Sequence, residues 1–156
     1  MPGASELAAE LEAVNQSIVA FAQGASAEDW GRMCAAESWP VSGVIRHIAA
    51  GYVTAQGWIG GFLDGKPIPI DQDEIDRKNE LHAVEYAAAT IPQTVGLLIA
   101  DGARVVSLVR GLTEAQLAIA HPVITGRELT TAQLVKVLIR HSQGHFESAR
   151  GALSPR

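Results

Sequence analysis

Apolar residues in this chain recur at steps of three and four over long stretches, and no run alternates one-in-two for the length of a strand. That spacing lines them along one face of a helix. The fold class expected is therefore all-α: four main helices in a bundle, with one or two short extra ones. Glu6 to Gln23 reads as the first helix, with Leu7, Leu11, Val14, Ile18 and Phe21 on one face and Gly24 as its stop. Ala25 to Glu37 reads as a connector, and its Trp30 as a plug for the bundle end. A second helix should begin near Ser38-Trp39-Pro40, because proline is tolerated in a first turn. Its inward set would be Val44, Ile48, Val53, Trp58 and Phe62, and Gly65-Lys66-Pro67-Ile68-Pro69 would end it.

Asp71 to Asp76 is acidic and merges into a helical stretch from Ile75 to Ala89, which Ile91-Pro92 breaks. Gln93 to Arg110 reads as the next helix, with Val95, Leu98, Ile99, Val106 and Val109 apolar. Leu112 to Thr130 is a link with a short helical piece at Thr113–Leu117, and with turns at His121-Pro122 and Thr125-Gly126-Arg127. The last helix starts at Thr130 or Thr131 and runs to about Leu153; Leu134, Val137, Leu138, His141, His145, Ala149 and Ala152 form its inward stripe.

At 156 residues the chain suits a single domain over 1–156, with 1–4 and 154–156 frayed. Hydrophobic residues make up 47% and charged residues 19%, a globular balance. The net charge of -5 and the absence of a Lys/Arg run argue against a nucleic-acid partner. No apolar stretch reaches the ~20 residues of a membrane span. Met1 to Glu6 has no basic segment ahead of an apolar run, so no signal peptide is expected and the location expected is cytoplasmic. The lone cysteine, Cys34, excludes an internal disulfide and a cysteine-based zinc site.

Five histidines carry the chemistry: His47, His82, His121, His141 and His145. His141 and His145 stand at i and i+4, so both rings leave one helix face a turn apart. Both fall on the inward stripe, where an unpartnered polar group costs roughly 1–3 kcal/mol. A single divalent ion would satisfy both rings, each nitrogen reaching it at about 2.0–2.1 Å; separate hydrogen bonds within the core are the other reading. His47 also sits on an inward face and reads as either a hydrogen-bonded core residue or a third ligand. His82 and His121 read as surface or loop residues. Asp71, Asp73, Glu74 and Asp76 lack the later Gly and Glu of a calcium loop and read as a solvated helix start. Cys34 has no His or cation near it in sequence and reads as a small buried hydrophobe.

The segment Trp39-Pro40-Val41-Ser42-Gly43-Val44-Ile45-Arg46-His47-Ile48, the closing Leu138-Ile139-Arg140-His141-Ser142-Gln143-Gly144-His145-Phe146-Glu147-Ser148, and the order of one His on helix two and two on the last resemble the DinB-like superfamily over roughly residues 5–153. The resemblance implies an up-down-down-up four-helix bundle, often a homodimer. It implies a divalent ion, zinc, nickel or manganese, on His47, His141 and His145. It also implies two functional readings. One is a thiol-dependent enzyme in which the ion activates a low-molecular-weight thiol, or water, against a small-molecule substrate. The other is a non-catalytic dimer whose metal only ties helices together.

Overall fold

The computed structural model describes residues 1–68, 71–124 and 126–153. In chain order its elements are α1 (Ala4–Gly24), α2 (Ala27–Gly31), β1 (Met33–Cys34), β2 (Trp39–Pro40), α3 (Val41–Leu63), α4 (Gln72–Glu85), α5 (Ile91–Arg110), α6 (Glu114–Leu117), β3 (Ala120–Pro122), β4 (Glu128–Thr130) and α7 (Thr131–Leu153). The all-α reading holds: α1, α3, α5 and α7 are the four long bundle helices. α1 packs on α5 and α7, and α3 packs on the same two, so α1 and α3 lie across the diagonal. Their inward rows meet in one core built from Leu7, Leu11 and Ile18 of α1, Ile45, Ile48 and Ile59 of α3, Leu98 and Val105 of α5, and Ile139 of α7. Removing this surface from water is what drives the four together.

Several helix starts are closed by the same local device. Thr90 with Gln93, Thr113 with Gln116 and Thr130 with Gln133 each exchange side-chain and backbone hydrogen bonds, and Ser26 with Asp29 does so at α2. Each box satisfies two amides that the first turn leaves without helical partners. Ile91-Pro92, expected as a break, is thus the first turn of α5, where the ring's missing N–H removes nothing. The connector folds into α2, and Trp30 is buried there with its Nε1 donating to Ala89 O at 2.7 Å.

Two apolar positions expected inside, Val53 and Val137, are exposed, as is Ile99 of the apolar set on α5. Val53 is 55% exposed because the buried row of α3 steps from Ile48 to Tyr52, Ala55, Ile59 and Phe62, one residue out of frame with Val53. Ile99 is 51% exposed beside the row through Leu98, Gly102 and Val106, and Val137 is 45% exposed on α7. His121-Pro122, expected as a turn, pairs with Leu129 and Glu128 in the β3–β4 ladder, whose edge tolerates proline. The turn falls beyond it, where Gly126 has φ 74°. Pro69, Thr125 and the 154–156 end, also assigned from sequence, lie outside the described residues. Ala4, expected to fray, begins α1. No described helix is long and apolar enough to cross a membrane.

Local contacts fix the helix directions around α3. Ser42 Oγ donates to Ala87 O at 2.8 Å and the Arg46 guanidinium lies 4.3 Å from the Tyr86 ring centre, so the chain leaving α4 meets the start of α3. The β3–β4 hairpin ahead of α7 puts the His121 ring against Phe62 at the end of α3. Both α4 and α7 therefore run against α3. α4 has no buried residue; it is an outer wall.

At the α1–α5 contact, the Asn15 amide donates to Leu98 O at 2.9 Å and lies against Gly102, where a methyl group would stand 2.2 Å from Asn15 Nδ2 and 2.9 Å from its Cγ. Gly102→Ala forces a buried, hydrogen-bonded amide aside. It should lower stability by about 1–3 kcal/mol, the range for overpacking, read as a lower urea midpoint with the slope unchanged.

Candidate metal centre

His47 is presented by the second turn of α3 and is 8% exposed. Both of its ring nitrogens meet other histidines: Nε2 lies 3.2 Å from His141 Nε2, and Nδ1 lies 3.0 Å from His82 Nδ1. His145 completes the group, its ring centre 4.5 Å from that of His141 and 5.0 Å from that of His47. One ligand atom from each of His47, His141 and His145 lies within 4.8 Å of the other two. Two nitrogens bound tetrahedrally to an ion at ~2.0–2.1 Å stand roughly 3.3 Å apart, so the His47–His141 approach is the spacing that shared coordination needs. The three residues singled out from sequence are thus brought together.

Two further residues sequence reasoning did not place in the site hold the rings. Glu37 accepts from His145 Nδ1 at 2.7 Å through Oε1, and Ser148 Oγ donates to its Oε2. Glu37 comes from the tight turn between β1 and β2, where Ser38 adopts φ 58° and its amide donates to Cys34 O at 2.9 Å. With Nδ1–H given to Glu37, His145 keeps its Nε2 lone pair for the centre; a carboxylate on the far nitrogen is the usual orienting partner of a ligand histidine. His82, expected at the surface, is half-buried on α4. It stacks on Tyr86 with ring centres 4.5 Å apart. When His47 offers its Nε2 lone pair, Nδ1 carries the hydrogen and donates to His82 Nδ1. Ile75 and His82 are seven residues apart on the face of α4 that lines the site, a spacing the sequence does display.

Gly51 makes the room for His141. A methyl group at that position would stand 3.3 Å from His141 Cε1 and 3.5 Å from Nδ1. The ring therefore stands directly against the α3 backbone. His121 is elsewhere, packed on Phe62. Asp71 caps α4 by accepting from the Glu74 amide at 2.9 Å, as a helix start should. Cys34 is buried, and burial with the nearby Glu37 charge pushes its thiol up to about 11, so it is no thiolate near neutral pH. The histidines close one end of a cavity of about 490 Å³ whose walls include Trp39, Trp58, Ile75, Leu134, Val137 and Leu138.

A family model described as the DinB superfamily matches residues 4–149. The chain belongs to the DinB superfamily. Its all-α bundle and three-histidine group are what the residues around His47 and along α7 led one to expect of such a chain. No curated protein and no solved structure matches it.

Two of the rings, His47 and His141, are held neutral. Burial above all, then the neighbouring His141, His145 and His82, pushes His47 down from 6.5 to about 3, and burial with His145 pushes His141 down to about 4. Neutral imidazole is the form that binds a metal. The unfolded chain takes up these protons near pH 6.5, whereas the folded chain refuses them until about pH 4 or below. Between those values the unfolded state holds more protons, so stability rises with pH and is lost on acidification. The metal-free DinB protein should lose stability as pH falls below about 6.5, with a slope of up to ~1.4 kcal/mol per pH unit for each histidine. His141→Leu should flatten that slope by about one proton, measured by urea unfolding at a series of pH values from about 7 to about 5.

Proposed function

We propose that this member of the DinB superfamily is a metal-dependent enzyme for small molecules, with His47, His141 and His145 as the ligands of a divalent ion. The observation that carries the reading is the 3.2 Å approach of His47 Nε2 to His141 Nε2, in a three-histidine group at the closed end of the cavity. Two neutral imidazoles at that distance, one buried and one half-buried, gain one weak hydrogen bond at most; with an ion between them both lone pairs would be used. Three imidazoles suit zinc or nickel better than manganese, which favours oxygen ligands.

A structural ion is expected to be closed in by a fourth protein group. Here the cavity runs up to the histidines, which leaves a side for substrate. When bound, the ion supplies a Lewis acid that lowers the pKa of a thiol or water beside it. The chain's own residues do the rest. Glu37 holds the His145 ring by its Nδ1–H, and Ser148 holds Glu37. His82 accepts the His47 Nδ1 hydrogen and so keeps the Nε2 lone pair directed at the centre. The apolar walls offer the reacting group few competing hydrogen bonds. The reaction class we assign is transfer of a low-molecular-weight thiol to an electrophile, with the thiol arriving as substrate because Cys34 is buried and protonated.

Metal-free protein titrated with zinc should take up one ion per chain, and the His141→Ala variant should lose that uptake. Glu37→Gln and His82→Ala should still bind, about 10–100-fold more weakly, the range for losing a group that orients a ligand. Full metal content in His141→Ala would sink the assignment. Loss of an aryl halide electrophile that requires both zinc and an added thiol is the expected activity.

A further inference from the structure

The cavity beside the histidines has a direction. Three helices line it, each through a stripe at helical spacing: His47 to Trp58 on α3, His145 to Leu134 on α7, and His82 to Ile75 on α4. Because α7 and α4 run against α3, every stripe starts with histidine at the same end and finishes apolar at the other. From His47 to Trp58 the axis covers about 16 Å at ~1.5 Å per residue. A volume of about 490 Å³ lies within the range of pockets that enclose a small ligand.

The far end is apolar surface left open. Val137 is 45% exposed within the wall, and Trp58 is half-buried. Such surface, ringed by packed helices, is what a hydrocarbon or aryl group covers. The near end has the opposite character. Its imidazoles bring no negative charge, and Glu37 is already committed to His145 and Ser148. Lys78 also lines the cavity, and Glu74 at 3.8 Å offsets it, so the choice of head group falls to the histidine-held ion.

From this polarity we propose that the cavity takes an elongated amphipathic anion, with a carboxylate or thiolate head at the histidine end and an alkyl or aryl body running along α3 toward Trp58, Val137 and Leu134. The head rests on the metal reading above; the tail does not. The head's lone pair faces the ligand side of His47, His141 and His145, and the tail replaces water against Val137 and Trp58.

Calorimetric titrations with octanoate, acetate, octanol and octanethiol test both halves. On zinc-loaded protein, octanoate should bind at least about tenfold tighter than acetate, since every methylene of its tail that leaves water adds to the binding, and tighter than octanol. Octanethiol binding above octanoate identifies thiolate as the preferred head, and the reverse order identifies carboxylate. Val137→Asn, at a part-exposed position, and Trp58→Ala should each erase most of the preference for octanoate over acetate while zinc uptake stays as in the wild type. Acetate binding as tightly as octanoate, or an unchanged preference in both variants, overturns the tail. Octanol binding as tightly as octanoate with zinc in place overturns the anionic head. Zinc uptake is measured first and separately. A protein that takes none brings down the metal reading and the head with it, and the octanol titration of that protein still decides the tail: binding lost on Val137→Asn upholds it, and no binding overturns it.

Discussion

The arrangement turns on one buried ring. His47 sits in the core-facing row of α3 with neighbours at both nitrogens, His141 at Nε2 and His82 at Nδ1. A neutral imidazole has one N–H and one lone pair. Whatever engages the Nε2 lone pair therefore sets the hydrogen on Nδ1 and makes His47 a donor to His82. One tautomer serves both contacts, and the chain from α7 through α3 to α4 is polarised in one sense. The reverse tautomer would need His82 to donate and His141 to accept, which leaves no lone pair on His47 for a shared centre.

Bundle order is what permits this meeting. With α1 and α3 on the diagonal, α3 has α5 and α7 as its bundle partners and keeps a face for α4. The apolar contacts of α1, α5 and α7 hold α3 rigid from the core side. α4 has no buried residue of its own and is attached mainly through polar and aromatic contacts to the start of α3: Ala87 O to Ser42, Tyr86 to Arg46, and His82 to His47. The cavity lies between a rigid wall and a lightly packed one. An outer helix held this way is drawn from the low-stability end of a fold, where ligand-binding elements are commonly found.

How much of this could be read from the chain depended on how local each signal was. His141 and His145 are four residues apart on a strongly amphipathic helix, so their common face follows from helical pitch alone. His47 needed the inward face of a second helix, and it was legible from Val44 and Ile48 beside it. The frame slipped further along α3, where Val53 and Tyr52 compete for one inward place and tertiary packing selects the ring. The Thr-x-x-Gln boxes at Thr90, Thr113 and Thr130 are present in the sequence as plain local patterns, and reading them would have placed Ile91-Pro92 inside α5. His82 is harder, since α4 is polar nearly all round and only Ile75 marks the face that turns inward. Glu37 carries no periodic signal. Its role depends on the two-residue β1–β2 ladder and the left-handed Ser38 that swing it onto α7.

The carboxylate's placement also limits what the centre is. Glu37 stands behind His145, outside the three-histidine group, and both its oxygens are occupied, one by His145 Nδ1 and the other by Ser148 Oγ. A carboxylate used directly on an ion would lower the net charge of the site and make it a weaker Lewis acid. Used behind His145, it raises the basicity of that imidazole and would leave the charge of an ion held there facing the cavity. An ion held by three imidazoles with the carboxylate kept behind them would be an electrophilic centre, and the apolar walls beside it would screen its charge less than water does. Imidazole donors in place of carboxylates and an apolar wall are therefore the two features that the proposed binding and activation of an anion would use.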